Sequence, residues 1–198
     1  QAWGVSPDRI YPDMDQFLHD EQQQLDAVVV LTPTPSHANA VCKLLERGVP
    51  VICEKALTAS IADLERIQRV QRPDSFLAVT YNYSGYPMVR ELRQRIEAGE
   101  LGKIYQIQIE MPADVYLQFK RGAYLTPQSW RLEDGDIPTI LLDLGVHLHH
   151  LCHFLTGLNP QEVNADYHNY SRFKEVVDDA HLWVKYEQGM NASMWMSK

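Results

Sequence analysis

Three short stretches of this chain carry residue types that could do chemistry together. Cys53-Glu-Lys-Ala56 places an ammonium, Lys55, just past a short apolar run. If that run is a strand, Lys55 sits where open α/β sheets bind ligands, at the carboxyl end. Asp143 and His147 are four residues apart in Leu142-Asp-Leu-Gly-Val-His147 and so share one face of a helix. At 100° per residue His150 joins them, while Leu144, Leu148, Leu151 and Leu155 form a separate stripe that reads as the core face. A carboxylate beside an imidazole suits proton transfer, because an unperturbed histidine titrates near neutrality. Leu31-Thr-Pro-Thr-Pro-Ser-His37 is the third stretch. Ser36 reads as a helix N-cap, and free N–H groups at such a start suit a phosphate or a ribose.

Each stretch has a plainer explanation: a solvated lysine, a surface Asp–His pair, a capped turn. His147, His149, His150, Cys152 and His153 also admit a metal reading. Those side chains point in several directions around a helix, and only His149 and His153 have a shared-ion spacing. No metal is expected.

The elements that must hold these groups emerge from periodicity. Helices are predicted over 13–24, 37–47, 60–72 and 86–98, with Gly48 and Pro73 as stops. Between them, 26–31, 49–53 and 76–80 read as strands, the first a β-branched run buried on both faces. Strands alternating with helices imply βαβ units and a doubly wound parallel sheet. After Tyr81 the pattern changes. Residues 104–111 alternate, with Tyr105, Ile107 and Ile109 on one face, as a half-buried strand of an antiparallel sheet does. Residues 112–136 read as loop, 139–155 as a helix, and 162–170, 180–186 and 190–196 as strands, with a hairpin turn at Gln188-Gly189. The fold class is therefore α/β: a partial Rossmann unit over 1–80, then an α+β unit over 81–198 with an open, mainly antiparallel sheet.

With 198 residues, 45% hydrophobic and 22% charged, the chain can build a real core. A net charge of −8 argues against nucleic acid and anionic membranes as partners. No apolar run nears the ~20 residues of a membrane span. Cys42, Cys53 and Cys152 form neither a CxxC pair nor a disulfide framework, so reduced thiols in the cytoplasm are expected. None of the ten glycines lies two residues from another, so no Gly-x-Gly is present. A nucleotide-binding half-fold begins with a strand and such a turn. We therefore expect a further segment before Gln1, and weak dinucleotide binding by these 198 residues alone.

Taken together the motifs resemble the Gfo/Idh/MocA family, named for glucose–fructose oxidoreductase and inositol dehydrogenase. Asp26 to His37, Gly48 to Lys55, Gly99 to Lys103, Asp143 to His147 and Asp178 to Gly189 resemble its signatures in the family's order. The resemblance implies hydride transfer between NAD or NADP and a hydroxyl-bearing carbon of a sugar, cyclitol or related polyol. It implies catalytic positions at Lys55, Asp143 and His147, and cofactor-lining positions at Thr32, Pro33, His37, Glu54 and Lys55. It also implies a homo-oligomer packed through the C-terminal sheet. In this reading His147 is a base near neutrality, Asp143 orients its ring, and Lys55 stabilises the developing alkoxide. A non-catalytic assembly module without tight cofactor binding is the alternative.

Overall fold

A computed structural model describes residues 4–20, 25–120 and 122–198. Three parallel strands come first: β1 (Val28–Val30), β2 (Val51–Cys53) and β3 (Leu77–Val79), in the order β1-β2-β3. Helices α1 (Met14–Asp20), α2 (His37–Glu46) and α3 (Ile61–Val70) accompany them. The helix expected over 13–24 is seen to Asp20; its last residues lie outside the described ones.

Helix α2 forms because Ala40, Val41, Leu44 and Leu45 recur at helical spacing, and all four are buried against Val30, Val51 and Cys53. Each fully buried leucine there contributes roughly 1.5–3 kcal/mol. Gly48, at φ 72°, lets the chain leave α2 in the left-handed conformation and turn into β2. Ser60 caps α3, accepting the Asp63 N–H at 3.2 Å. The expectation that β1 is buried on both faces fails. It is an edge strand that α2 covers on one side, and Val29 is 54% exposed.

Helix α4 (Pro87–Glu97) leads into the second sheet, β4 (Gln106–Pro112), β7 (Pro160–His168), β8 (Asp179–Tyr186) and β9 (Asn191–Ser197). Its order is β4-β9-β8-β7. β7–β8 and β8–β9 are antiparallel, but β4 runs parallel to β9, so the sheet is mixed and β4 is an edge. Half-burial of alternate residues tells where β4 lies but not its direction, because both pairings share a period of two. Gln188 and Gly189 both have positive φ, as the tight β8–β9 hairpin requires. The segment read as loop holds a small hairpin, β5 (Phe119–Lys120) with β6 (Ala123–Tyr124), and a 3₁₀ turn at Ser129–Arg131.

The predicted helix over 139–155 is present but not regular. Leu141–Gly145 is a π-helical segment that runs into α5 (Val146–Thr156). The extra residue in the π turn rotates the residues before it relative to those of α5. The core stripe is consequently Ile140, Leu148 and Cys152 against Ala180, Met194 and Met196, with Leu144 half-buried against it, as Leu151 and Leu155 are half-buried elsewhere. Among the described residues no helix is long and apolar enough to cross a membrane. Cys42, Cys53 and Cys152 are buried free thiols.

Candidate active site

Lys55 comes almost directly after β2, which aims it across the molecule at the π-helical segment. Its Nζ donates to the Asp143 carbonyl oxygen and to Asp143 Oδ1, both at 2.9 Å. The Lys55–Ala56 peptide bond is cis. Two more cations reach the same carboxylate. Arg131 Nη1 donates to Asp143 Oδ2, and Lys198 Nζ lies 3.1 Å from that oxygen. Asp143 is half-buried, with a side chain 14% exposed, and that desolvation alone would raise its pKa. Lys198, Lys55 and Arg131 outweigh that and hold it at about 2. Asp143 is thus a fixed anion shared by three cations from three separate segments.

His147 stands one turn further along, in α5. It is buried between Tyr81 and Tyr83, whose ring centroids lie 6.2 and 4.8 Å from its own. Its Nδ1 has no hydrogen-bond partner. Burial, and after it the Lys55 ammonium, lowers its pKa to about 4. The expectation of a base near neutrality is corrected here: the ring sits in a dry aromatic wall beside a positive charge. Nor does Asp143 hold the imidazole, because its oxygens are taken by Lys55, Arg131 and Lys198. His150 packs on Tyr81 at 3.9 Å between centroids, and burial lowers its pKa too. The other imidazoles go elsewhere: His149 Nδ1 is 3.3 Å from the Tyr186 hydroxyl and His153 Nδ1 is 3.0 Å from the Leu158 carbonyl oxygen.

The turn after β1 forms the remaining wall. Thr32, Pro33, Glu54, Lys55 and Arg131 line a cavity of about 190 Å³. Glu54 accepts a 2.6 Å hydrogen bond from Thr80 Oγ1, which fixes its carboxylate. His37 belongs to the same turn but is fully buried, with Nδ1 2.8 Å from the Ala56 carbonyl oxygen and Nε2 2.6 Å from that of Thr32. It ties the Thr32 turn to the residue after Lys55. Ser36 makes no side-chain cap: it ends a 3₁₀ turn, Thr34–Ser36, that runs straight into α2. The predicted rank of free N–H groups is therefore partly used, Ser36 N–H donating to the Pro33 carbonyl oxygen at 2.8 Å. A larger cavity of about 410 Å³ lies beside Trp130, walled by Glu133, Asp134 and Asp136. It touches neither Lys55 nor His147, whereas the smaller cavity has Lys55, but not His147, in its wall.

Sequence reasoning missed Arg131, Lys198, Tyr81 and Tyr83. Arg131 lies in a segment without periodicity. Lys198 did leave a signal: it continues the inward alternation of Ala192, Met194 and Met196, where a charge is out of place.

Residues 1–83 match the oxidoreductase family with an NAD-binding Rossmann fold, and residues 89–198 match the GFO/IDH/MocA C-terminal domain. The uncharacterized oxidoreductase YfiI of Bacillus subtilis is 27% identical over 202 aligned positions, covering 98% of this chain and 51% of its own length. The scyllo-inositol 2-dehydrogenase (NAD(+)) of the same organism is 26% identical, covering 73% and 39%. An oxidoreductase structure from Sinorhizobium meliloti superimposes with a TM-score of 0.79 at 30% identity, over 98% of this chain and 52% of that one. An inositol dehydrogenase homolog from Azotobacter vinelandii, complexed with NADH and myo-inositol, shares the fold: TM-score 0.83, 24% identity, 97% and 50% coverage. The chain spans about half the length of the relatives it matches. On both halves of its sequence, the chain belongs to the GFO/IDH/MocA oxidoreductase family.

Proposed function

We propose that this chain carries the catalytic groups of an NAD-dependent oxidoreductase acting on a CH–OH carbon of a sugar, cyclitol or related polyol. The observation that carries the reading is the Lys55–Asp143 ion pair, 2.9 Å across two structural units, beside a buried imidazole with an unpartnered nitrogen. The relatives named as inositol dehydrogenases support the substrate class.

The residues present fit one end of the cofactor. A cavity of about 190 Å³ is below the roughly 300 Å³ of a whole small-ligand pocket, so it suits a nicotinamide riboside rather than a dinucleotide. It lies at the carboxyl ends of β1 and β2, where Thr32, Pro33 and Glu54 would border that group. His37 would serve it indirectly, by holding the turn. Nicotinamide, when bound, supplies the hydride acceptor.

The protein's own groups handle the proton and the oxygen. Oxidation of the alcohol breaks C–H and O–H and makes C=O; the hydride leaves carbon and the proton leaves oxygen. His147, neutral at pH 7 because its pKa is about 4, has a lone pair for that proton. Lys55 uses two N–H groups on Asp143, and an ammonium has a third for the substrate oxygen. Tyr81 and Tyr83 keep bulk water from the imidazole. Incubation of the protein with a panel of inositols and sugars, at NAD+ concentrations high enough to offset the weak dinucleotide binding expected above, tests this. NADH should accumulate with at least one polyol and should not in His147→Gln. Equal NADH formation by that variant would refute the assignment.

The same reading includes self-association through the C-terminal sheet, in the cytoplasm. Its outer face bears Trp183, 60% exposed, beside Asn164 and Ser193 in register. Light scattering of Trp183→Glu should show a smaller species than the parent.

A further inference from the structure

Lys198 has no role in the proton and hydride chemistry above, yet it is the most deeply buried cation described, with a side chain 1% exposed. Burial lowers its pKa while Asp143 opposes that. It continues the inward face of β9, and its backbone N–H donates to the Asp178 carbonyl oxygen at 2.9 Å. An ammonium in such a place costs several kcal/mol to desolvate, and an apolar side chain would cost none of it. Its Nζ has no hydrogen-bond partner, and its ion pair is with Asp143 Oδ2, at 3.1 Å. The Tyr116 ring braces it from below, 5.5 Å from Nζ to centroid, and the Tyr116 hydroxyl donates to the Arg131 carbonyl oxygen at 2.7 Å. Other nearby carboxylates are engaged: Asp178 accepts from Tyr170 and Ser171 N–H, and Asp134 from Thr139 and Val177 N–H.

We propose that Lys198 is a positioning residue of the active site, which fixes the Asp143 carboxylate so that Oδ1 and the backbone oxygen receive Lys55. The proposal rests on the oxidoreductase reading for its kinetic consequence and not for its structural one. With Lys198 and Arg131 on Oδ2, the carboxylate is held ionised and its rotation is blocked. Oδ1 is then left for Lys55, so the ammonium is aimed by a group that cannot swing towards His147. The charged groups facing Asp143 are Lys55, Arg131 and Lys198, with Asp134 beyond Tyr116 and His147 one turn along the helix. Lys198 supplies the largest single charge attraction on that anion, and Lys55 supplies both a charge attraction and a hydrogen bond.

The test uses Lys198→Met, which keeps the stem and deletes the charge, and Lys198→Arg, which keeps the charge. The carboxyl carbon of isotope-labelled Asp143, assigned by its loss in Asp143→Asn, is titrated by NMR. In the parent it stays ionised to about pH 3; in Lys198→Met its midpoint rises by about one unit or more, and in Lys198→Arg it returns. In turnover, Lys198→Met lowers kcat roughly ten- to hundredfold with KM changed less than about threefold, and arginine restores it. An unmoved Asp143 midpoint in Lys198→Met overturns the proposal, as does equal damage by methionine and arginine. The titration needs no turnover, so absence of polyol oxidation would sink the functional reading alone.

Discussion

Two buried histidines, His37 and His147, show how differently the two halves of the molecule use the same side chain. His37 has a backbone carbonyl at each ring nitrogen, Ala56 at 2.8 Å and Thr32 at 2.6 Å. His147 has tyrosine rings around it and nothing on Nδ1. Burial without hydrogen bonds is expensive, so an orphaned ring nitrogen is a cost that stability does not explain. The first ring is a rivet between the Thr32 turn and Ala56. The unsatisfied one is a group kept dry and neutral for a reacting partner, on the reading proposed above.

Breaking the second histidine should have the largest effect. His147→Gln is expected to lower turnover about 10²–10⁴-fold with the fold intact, measured by kcat and by circular dichroism. A comparable loss of helix signal would instead make it another rivet. Acid should act on the same residue, together with His149 and His150, whose pKa values burial also lowers. The folded pKa of His147, about 4, lies below the ordinary 6.5, so the unfolded chain takes the proton first. Its stabilising share is complete above pH 6.5 and is lost as pH falls towards 4, on the order of 3 kcal/mol. Urea titrations between pH 7 and 4.5 should show that decline, and His147→Gln should make it shallower, leaving the share of His149 and His150. Asp143 adds a second loss only below pH 3.8, since its folded pKa is about 2.

His37→Ala should do the converse. The backbone carbonyl that receives the ring N–H loses its donor, costing roughly 1–3 kcal/mol in urea unfolding. Activity should then track the folded fraction, and a kcat loss in fully folded protein would blur the contrast between the rings. The smallest effect tests the cause of His147's low proton affinity. Tyr81→Ala admits water beside the imidazole and should raise its pKa by about one unit, read from ring proton shifts. No movement would assign the shift to Lys55 alone.

The sequence revealed the parts of this site that obey a period. β1 and β2 were legible as apolar runs ending at Leu31 and Cys53, so Thr32 and Lys55 were placed at strand ends. The i, i+4 spacing put Asp143 and His147 together, but it assumed a regular helix. The π-helical turn at Leu141–Gly145 has no periodic signature, and within it the Asp143 carboxylate bonds Lys55 and Arg131. Arg131 reaches Asp143 through tertiary packing of Tyr116 and the Ser129–Arg131 turn, which no local pattern encodes. β4's parallel partner, β9, lies beyond β7 and β8 in the chain, and pairing at that distance is set by the whole sheet.

Whether the ammonium at 55 and the imidazole at 147 serve one reacting oxygen is best decided by a double-mutant cycle on kcat/KM. Lys55→Met, His147→Gln and their combination would be compared with the parent on the preferred polyol. A shared centre predicts that the double variant is barely worse than the poorer single one. Losses that multiply in full would mean the two groups act independently, and would contradict the account.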